Sequence, residues 1–384
     1  MTDVYDYSDR IGRVEPSATL AISNLAAKKE AEGADIVDLS VGEPDFDTPA
    51  NVVEAGKAAL DAGHTGYTSS NGIPALREGI AEKLRGQGVD ATADEVIVTP
   101  GGKQALYETI GTLIDDGDEV VLLDPAWVSY EAMVKLAGGA LSRVDLAPHG
   151  FQLEPALEDL AEAVSDDTAL LVVNSPSNPT GAVFSETALE GVRDLAVEHD
   201  IAVISDEIYG QIVYDADHVA LASLDGMHDR TITINGFSKA YSMTGWRLGY
   251  LHATEAFVSQ AGKLHSHSVS CATNFVQHAG VEALEHTDEA VEEMRQAFAD
   301  RRDLLVDLFD EHDVDVDVGE GAFYMMIPVD DDDEAWCERA IEEASVACVP
   351  GAAFNAPGFA RISYAASEER LREAVDRLVT NDLL

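Results

Sequence analysis

ALLVVNSPSNPTGAVFSETALEGVRDLAVEHDIAVISDEIYG, residues 169–210, holds the pattern that decides the fold. It opens on a continuous apolar run, ALLVVN (169–174), and closes on another, IAVIS (201–205), before the polar SDEIYG. Runs this short and this uniformly apolar read as strands buried on both faces. Between them Ser185 is placed to cap a helix over 185–199, with Leu189, Val192 and Ala196 at helical spacing on one face. Strand, helix and strand in this order make a parallel unit of an α/β sheet.

The same alternation extends both ways. VIVT (96–99), EVVLLD (119–124), TITIN (231–235) and RLGYL (247–251) are further strand candidates with helix-like segments between them. The expected fold class is α/β, with a mostly parallel central sheet flanked by helices. Ligands then bind outside the carboxyl ends of the strands. The ends of the chain differ in texture. Residues 1–48 hold a polar arm, one helix-like stretch and IVDLSVGEPDF, and beyond about residue 290 come charged helices and two strand-like segments, GAFYMMIPV and FARISYA. A length of 384 residues suits two domains. The expected division is 1–48 as arm and part of a small domain, 49–285 as the large ligand-binding domain, and 286–384 as the C-terminal small domain.

Composition narrows the function. Hydrophobic residues make up 46% of the chain and charged residues 25%, enough for a large core. Acidic residues number 72 against 24 basic ones, a formal net charge of -48, and only eight of the basic residues are lysines. Such a surface repels phosphate backbones and acidic lipid, which argues against nucleic-acid and membrane partners. The acids are spread along the chain, with DDDDE (330–334) as the densest run. A folded protein suited to a saline cytosol explains this, since at about 1 M salt the screening length falls to roughly 3 Å. The likeness to halophilic proteins is compositional. No run of roughly 18 apolar residues would span a membrane, and the polar start is unlike a secretory leader, so a cytoplasmic location is expected. Cys271, Cys337 and Cys348 have no CxxC spacing and are expected as reduced thiols, with no metal site.

Four loops that follow strands carry chemistry. In NGFSKAYSMTGWRLGY (235–250), Lys239 lies just past a strand end between Ser238 and Arg247. A lone loop lysine is usually solvated, but a hydroxyl and a guanidinium beside it suit a phosphate ester. Asp206 follows IAVIS and is either a helix cap or a carboxylate for a ligand cation such as a protonated pyridine nitrogen. Tyr209, three residues on, either packs or offers its hydroxyl to the same pocket. NSPSNPTG (174–181) is a rigid turn whose asparagine could bond a phenolic oxygen. TPGGKQALYETI (99–110) runs from strand end through Gly101 and Gly102 into a helix, a ready anion site though not a Walker loop.

Taken in order, VGEPDFDTP, GYTSSNGIPALREGIA, GGKQAL, NSPSNPTGAV, SDEIY, FSKAYSMTGWRLGY, GAFY and RISYA resemble a fold-type-I, class I aminotransferase dependent on pyridoxal 5'-phosphate, of the bacterial and archaeal aspartate aminotransferase subgroup. The resemblance runs from PSATLAI (16–22) to RISYA (361–365). It implies that Lys239 holds the cofactor as a Schiff base and that Asp206 pairs with its pyridine nitrogen. Asn178 and Tyr209 would bond its phenolic oxygen, and Trp127 would stack on its ring. Gly101, Gly102, Ser238 and Arg247 match the phosphate cup. Tyr67 matches a phosphate-binding tyrosine given by the partner subunit, which implies a homodimer. Arg361 matches the clamp for the substrate α-carboxylate, with Gly42, Asn178 and Trp127 beside it. The expected activity is ping-pong transfer of an amino group from an amino acid, aspartate favoured, to a 2-oxo acid, 2-oxoglutarate favoured. Aromatic or alanine transamination is the alternative, ahead of a β-lyase. A silent regulator would have lost Lys239, Asp206 or Arg361, and all three are present.

Two positions depart from better-known members. Gly101 stands where many carry serine, and Lys103 where many carry threonine. KLHSHSVSCATN (263–274), aligned with the region that often supplies an arginine from the partner, has none. Lys103 is the candidate second cation for a dicarboxylate, its alternative being the cofactor phosphate or solvent. Thr19 is a candidate to add a hydroxyl from the N-terminal part.

Overall fold

The computed structural model describes residues 5–329 and 332–384, so the first two acids of the DDDDE run lie outside the described residues. After the short β1 (Val37–Asp38), the chain builds one seven-stranded sheet from β2 (Val96–Thr99), β3 (Glu119–Asp124), β4 (Ala140–Asp145), β5 (Thr168–Asn174), β6 (Ala202–Asp206), β7 (Thr231–Gly236) and β8 (Gly249–His252). The strand order is β2-β8-β7-β6-β5-β3-β4. Every pairing from β4 through to β7 is parallel, and β8 runs antiparallel to both neighbours. The chain steps outward from β3 to β4, crosses back to β5, then proceeds the other way. That reversal opens a crevice at the carboxyl ends of β3 and β5.

Alternation across the pleat explains why the strand runs are wholly apolar. Val120, Leu122, Leu170, Val172 and Ile204 pack on helices Gly102–Leu113 and Val128–Ala137. Their neighbours Val121, Leu123, Leu171, Val173 and Val203 pack on the other face against Leu160, Leu189, Val192 and Ala196. Helix Glu186–Glu198 starts where the sequence placed it: Ser185 Oγ accepts from Ala188 N at 3.1 Å.

Two expectations are corrected. β4, of sequence ALSRVD, was not anticipated, because at the sheet edge only Val144 is buried and no apolar run marks it. RLGYL does not begin a strand at its arginine. Arg247 has φ 56°, a left-handed conformation that ends the turn Thr244–Trp246, and the strand starts at Gly249.

The ends of the chain meet. β1 pairs in parallel with β10 (Val346–Ala347), and a three-stranded antiparallel sheet takes β9 (Tyr324–Pro328), β11 (Val349–Pro350) and β12 (Phe359–Ser363) in the order β11-β12-β9. One core gathers Val37 and Leu39 with Phe298, Leu305, Trp336, Ile362, Leu371 and Leu378. Among the described residues no helix is long and apolar enough to cross a membrane, and no three His, Cys, Asp or Glu side chains gather as a metal site. The three cysteines are free.

Candidate active site

The carboxyl ends of β3, β5, β6 and β7 open into a cavity of about 530 Å³, within the range of small-molecule sites. Six charged side chains face it: Lys103, Lys239, Arg247 and Arg361, against Glu43 and Asp206. In a chain of net charge -48 this excess of cations marks an anion-binding centre. None of the four cations forms an ion pair with a carboxylate among the described residues.

Asp206 ends β6 on the cavity floor, 4% exposed. Its Oδ2 accepts from Tyr130 Oη at 2.7 Å and its Oδ1 from Ile208 N at 3.2 Å. Burial raises this carboxyl to about 6, outweighing those two bonds. A ligand cation would favour the ionised form and reverse that rise. Cofactor affinity is therefore expected to weaken as pH falls through about 6, where the free carboxyl takes up its proton. Asp206→Asn should flatten that slope, and a slope unchanged in the variant would remove Asp206 from the role.

Lys239 follows β7, and its Nζ donates to Gly42 O. Burial, then the charge of Arg361, pulls its ammonium down to about 8, while Glu43 acts the other way. The amine lies 5.5 Å from the ring centres of both Tyr209 and Phe323. A side chain at Gly42 would come within 2.8 Å of Tyr324 Oη, so the backbone approach to Lys239 depends on the glycine.

The anion cradle begins at Gly101, whose φ of 86° and ψ of 159° belong to a region essentially reserved for glycine. A Cβ there would sit 2.5 Å from Arg247 Nη2. A side chain at this position would have to displace the guanidinium as well as bear the strain of the positive φ. Gly101 N donates to Thr99 O and Gln104 N to Gly101 O, while the amides of Gly102 and Lys103, at the start of a 12-residue helix, have no acceptor among the described residues. Arg247 is held by Thr244 O at 2.7 Å. Ser238 lines the same cavity, 9% exposed, with no hydrogen-bond partner for its hydroxyl among the described residues.

Arg361 projects from β12, 3% exposed. Nη1 donates to Asn178 Oδ1 at 3.1 Å and Nη2 to Ser40 O at 2.6 Å, while the buried Nε has no partner. Asn178 is itself set by Asn174 Oδ1, which accepts its backbone N–H at 2.9 Å. The Tyr209 and Tyr324 hydroxyls share a hydrogen bond of 2.9 Å. Burial first, then its Tyr324 neighbour, holds the Tyr209 phenol well above its ordinary range.

Trp127 begins helix Val128–Ala137 and stands edge-on to Tyr130, ring centres 5.4 Å apart. Lys103 Nζ lies 4.6 Å over the Trp127 ring, and burial, then Arg247, lowers its ammonium. Thr19 lines the cavity too, its hydroxyl sharing a 2.8 Å hydrogen bond with Ser17. Tyr67 alone stays apart. It is 90% exposed and does not line the cavity of its own chain.

Comparison with known proteins agrees with this geometry. The Aminotransferase class I and II family matches residues 34–378. The chain is 42% identical over 378 residues to the aspartate/prephenate aminotransferase of Thermus thermophilus, covering 96% of this chain and 97% of that protein. It is 41% identical over 373 residues to the aspartate aminotransferase of Thermotoga maritima, covering 97% and 98%. The chain belongs to the class I and II aminotransferases. Among solved structures, the aspartate aminotransferase from Thermus thermophilus with maleate superposes with a TM-score of 0.95 at 41% identity, over 98% of this chain and all 100% of that one. The aromatic aminotransferase of Pyrococcus horikoshii gives 0.88 at 41% identity, over 94% and 100%.

The enzymes of this family use pyridoxal 5'-phosphate and act on an amino acid and a 2-oxo acid. The residues of this aminotransferase fit that cofactor. Among the described residues, a glycine-only turn with unbonded amides and a guanidinium without a carboxylate partner suits its phosphate, a buried carboxylate suits its ring nitrogen, and a half-buried lysine suits its aldehyde. Four residues of the site were not singled out in the sequence. Tyr130 lies one helical turn beyond Trp127, a spacing that could have found it. Tyr324 and Glu43 stand inside GAFY and VGEP, and Asn174 opens NSPSNPTG, but no local pattern gives their partners.

Proposed function

We propose that this aminotransferase takes aspartate as its preferred donor and 2-oxoglutarate as its acceptor, in a homodimer whose Tyr67 side chains enter each other's sites. The observation that carries the proposal is the pair of cations without carboxylate partners, Arg361 and Lys103, in one cavity. A dicarboxylate needs two. The names of the Thermus and Thermotoga relatives support the same donor.

Each residue has a part that follows from its surroundings. Pyridoxal phosphate held here would supply a sink for the electron pair left when the substrate's α-C–H bond breaks. Gly101, Gly102, Ser238 and Arg247 would hold its phosphate, Trp127 its ring face, and Asn178 with Tyr209 its phenolic oxygen. Asp206 keeps a proton at the ring nitrogen. Lys239, the residue that would bind the aldehyde carbon, takes the proton from the substrate's α-carbon once its amine is displaced. A lysine brought to about 8 is closer to a working base than one in water. Arg361, with Gly42 and Asn178 beside it, fixes the α-carboxylate and so points the C–H bond at Lys239. Lys103, with Thr19 near it, meets the distal carboxylate.

Lys103→Ala is expected to cut kcat/KM for aspartate by about 1.5–3 kcal/mol, the range for a charged hydrogen bond, and to touch neutral donors much less. A matrix of donors and acceptors, run in high salt, reads this. Equal losses for aspartate and for a neutral donor would assign Lys103 to the phosphate and remove the argument for aspartate. Prephenate belongs in the acceptor panel, because the Thermus relative is named for it as well.

We propose further that the chain divides near residues 48 and 285 into the two domains set out above, and that it works in a saline cytoplasm. Self-repulsion at -48 is relieved by screening. The melting temperature is expected to climb steeply between low salt and molar KCl, and a flat profile would overturn the saline reading.

A further inference from the structure

Behind the anion cradle lies a buried polar contact that the proposed catalysis does not use. His265, on helix Glu255–Ser268, and Glu108, on helix Gly102–Leu113, are both 0% exposed. The imidazole Nδ1 lies 3.0 Å from each oxygen of the carboxylate. The Nε2 lies 2.9 Å from Ser70 O. A carbonyl only accepts, so Nε2 carries a hydrogen, and another proton lies between Nδ1 and the carboxylate. Glu108 also accepts from Gln104 Nε2 at 2.8 Å and from Ser268 Oγ at 3.1 Å.

Ser70 belongs to the loop that carries Tyr67. Gln277, 0% exposed, accepts from Ile73 N at 2.7 Å and donates to Thr68 Oγ1 at 3.2 Å. Asn274 Nδ2 donates to Gly66 O at 3.0 Å. The loop is thus pinned at both ends to helix Asn274–His286, while its middle is tied through His265 to the helix whose first turn forms the cradle. Tyr67 is left pointing outward.

A buried polar pair is weak evidence for stability, whether or not it is ionised, since an apolar pair of the same volume often serves as well. Its worth lies in direction: it fixes one loop against one helix at a set distance.

We propose that His265 and Glu108 are positioning residues that set the Tyr67 loop against the cradle helix, so that the helix building each subunit's own site also sets the loop given to its partner. The inference rests on the homodimer reading, in which Tyr67 serves the neighbouring site.

Two heterodimers test it. In the first, an unaltered subunit pairs with one carrying both Lys239→Ala and His265→Leu, so the one site able to fix cofactor on Lys239 receives its loop from the altered subunit. In the second, a His265→Leu subunit pairs with a Lys239→Ala subunit, and that site receives an unaltered loop. Borohydride reduction at graded pyridoxal phosphate, with the adduct on Lys239 counted by mass spectrometry, gives the half-saturating concentration. It is expected to be about tenfold higher in the first heterodimer than in the second, the scale of one lost buried hydrogen bond. Equal values, or a larger shift in the second, would overturn the proposal. Tyr67→Phe in place of His265→Leu in the first arrangement should raise the concentration as well. If it does not, the homodimer reading falls and takes the inference with it; if it does while His265→Leu acts only within its own subunit, the inference alone falls. In the His265→Leu holoenzyme, amide exchange should quicken over residues 65–73 and not along the helix over 274–286; a uniform rise would reduce the pair to a general staple. Should His265→Leu fail to fold, the near-isosteric Glu108→Gln takes its place in both heterodimers with the same expected ratio.

Discussion

Lys239→Ala is expected to bind pyridoxal phosphate and yet turn over about 10⁴-fold more slowly than the parent, the upper range for loss of a positioned acid-base group. The phosphate cradle, Asp206 and Trp127 do not depend on the lysine side chain, so binding survives. Proton transfer at the substrate α-carbon does depend on it, because no other base is so placed. In the proposed reading Asp206 faces the ring nitrogen, and its Oδ2 already accepts from Tyr130. Glu43 is engaged by Thr244 Oγ1 at 2.9 Å. The surroundings of the other lysines make the assignment sharp. Lys28, Lys29, Lys57 and Lys135 are paired with carboxylates, while Lys83 and Lys263 donate to glutamines. Lys103 shares the cavity and is also lowered by burial, but its Nζ lies 4.6 Å over the Trp127 ring, whereas Lys239 follows the end of β7 with its Nζ at Gly42 O and is pulled down to about 8. Borohydride should therefore fix the cofactor on Lys239 in the parent. An adduct on any other lysine, or a variant that keeps more than a hundredth of the parent's turnover, would break the assignment.

How much of this was legible beforehand follows from the range of each interaction. The strands β2 and β3 were readable to the residue, because a strand buried on both faces must be apolar at each position. The strand β4 was not, because its two half-wet faces, unlike the buried faces of the opposite edge strand β2, leave no constraint on its residues. Lys239, Asp206, Asn178 and Gly101 could be placed because each follows a strand within a few residues, so the sheet itself brings them together. The Arg361 contacts with Asn178 and Ser40 join positions 183 and 321 residues apart. Nothing local encodes them, and it was the resemblance that placed Arg361 in the site. Tyr324 and the His265–Glu108 pair were invisible for the same reason: in sequence a buried histidine looks like any other.

Arg361→Leu is expected to lower kcat/KM about 10²–10³-fold for every amino donor, the cost of removing one member of a buried, hydrogen-bonded charge pair. Arg361 is a cation nearly free of solvent, and burial lowers its affinity for its own proton. Its fixed neighbours are neutral: an amide oxygen, a carbonyl, and the faces of Tyr324 and Phe354 at 4.6 Å and 5.1 Å. Among the described residues no carboxylate touches this buried charge, Asp38 acting on it only from beyond ion-pair distance, and an arriving α-carboxylate supplies a direct partner through a planar, forked contact. Because every amino acid has that carboxylate, the loss should be common to aspartate, alanine and phenylalanine alike, in contrast with Lys103→Ala. Stability should move little or rise. Removing the guanidinium relieves the cost of burying its charge, which offsets the roughly 1 kcal/mol for each donor that Asn178 and Ser40 lose. Activity and melting temperature then part company in a single variant. A fall of many degrees in melting temperature would mark Arg361 as a structural strut. A loss confined to dicarboxylate donors would move it to the distal carboxylate and exchange its role with that of Lys103.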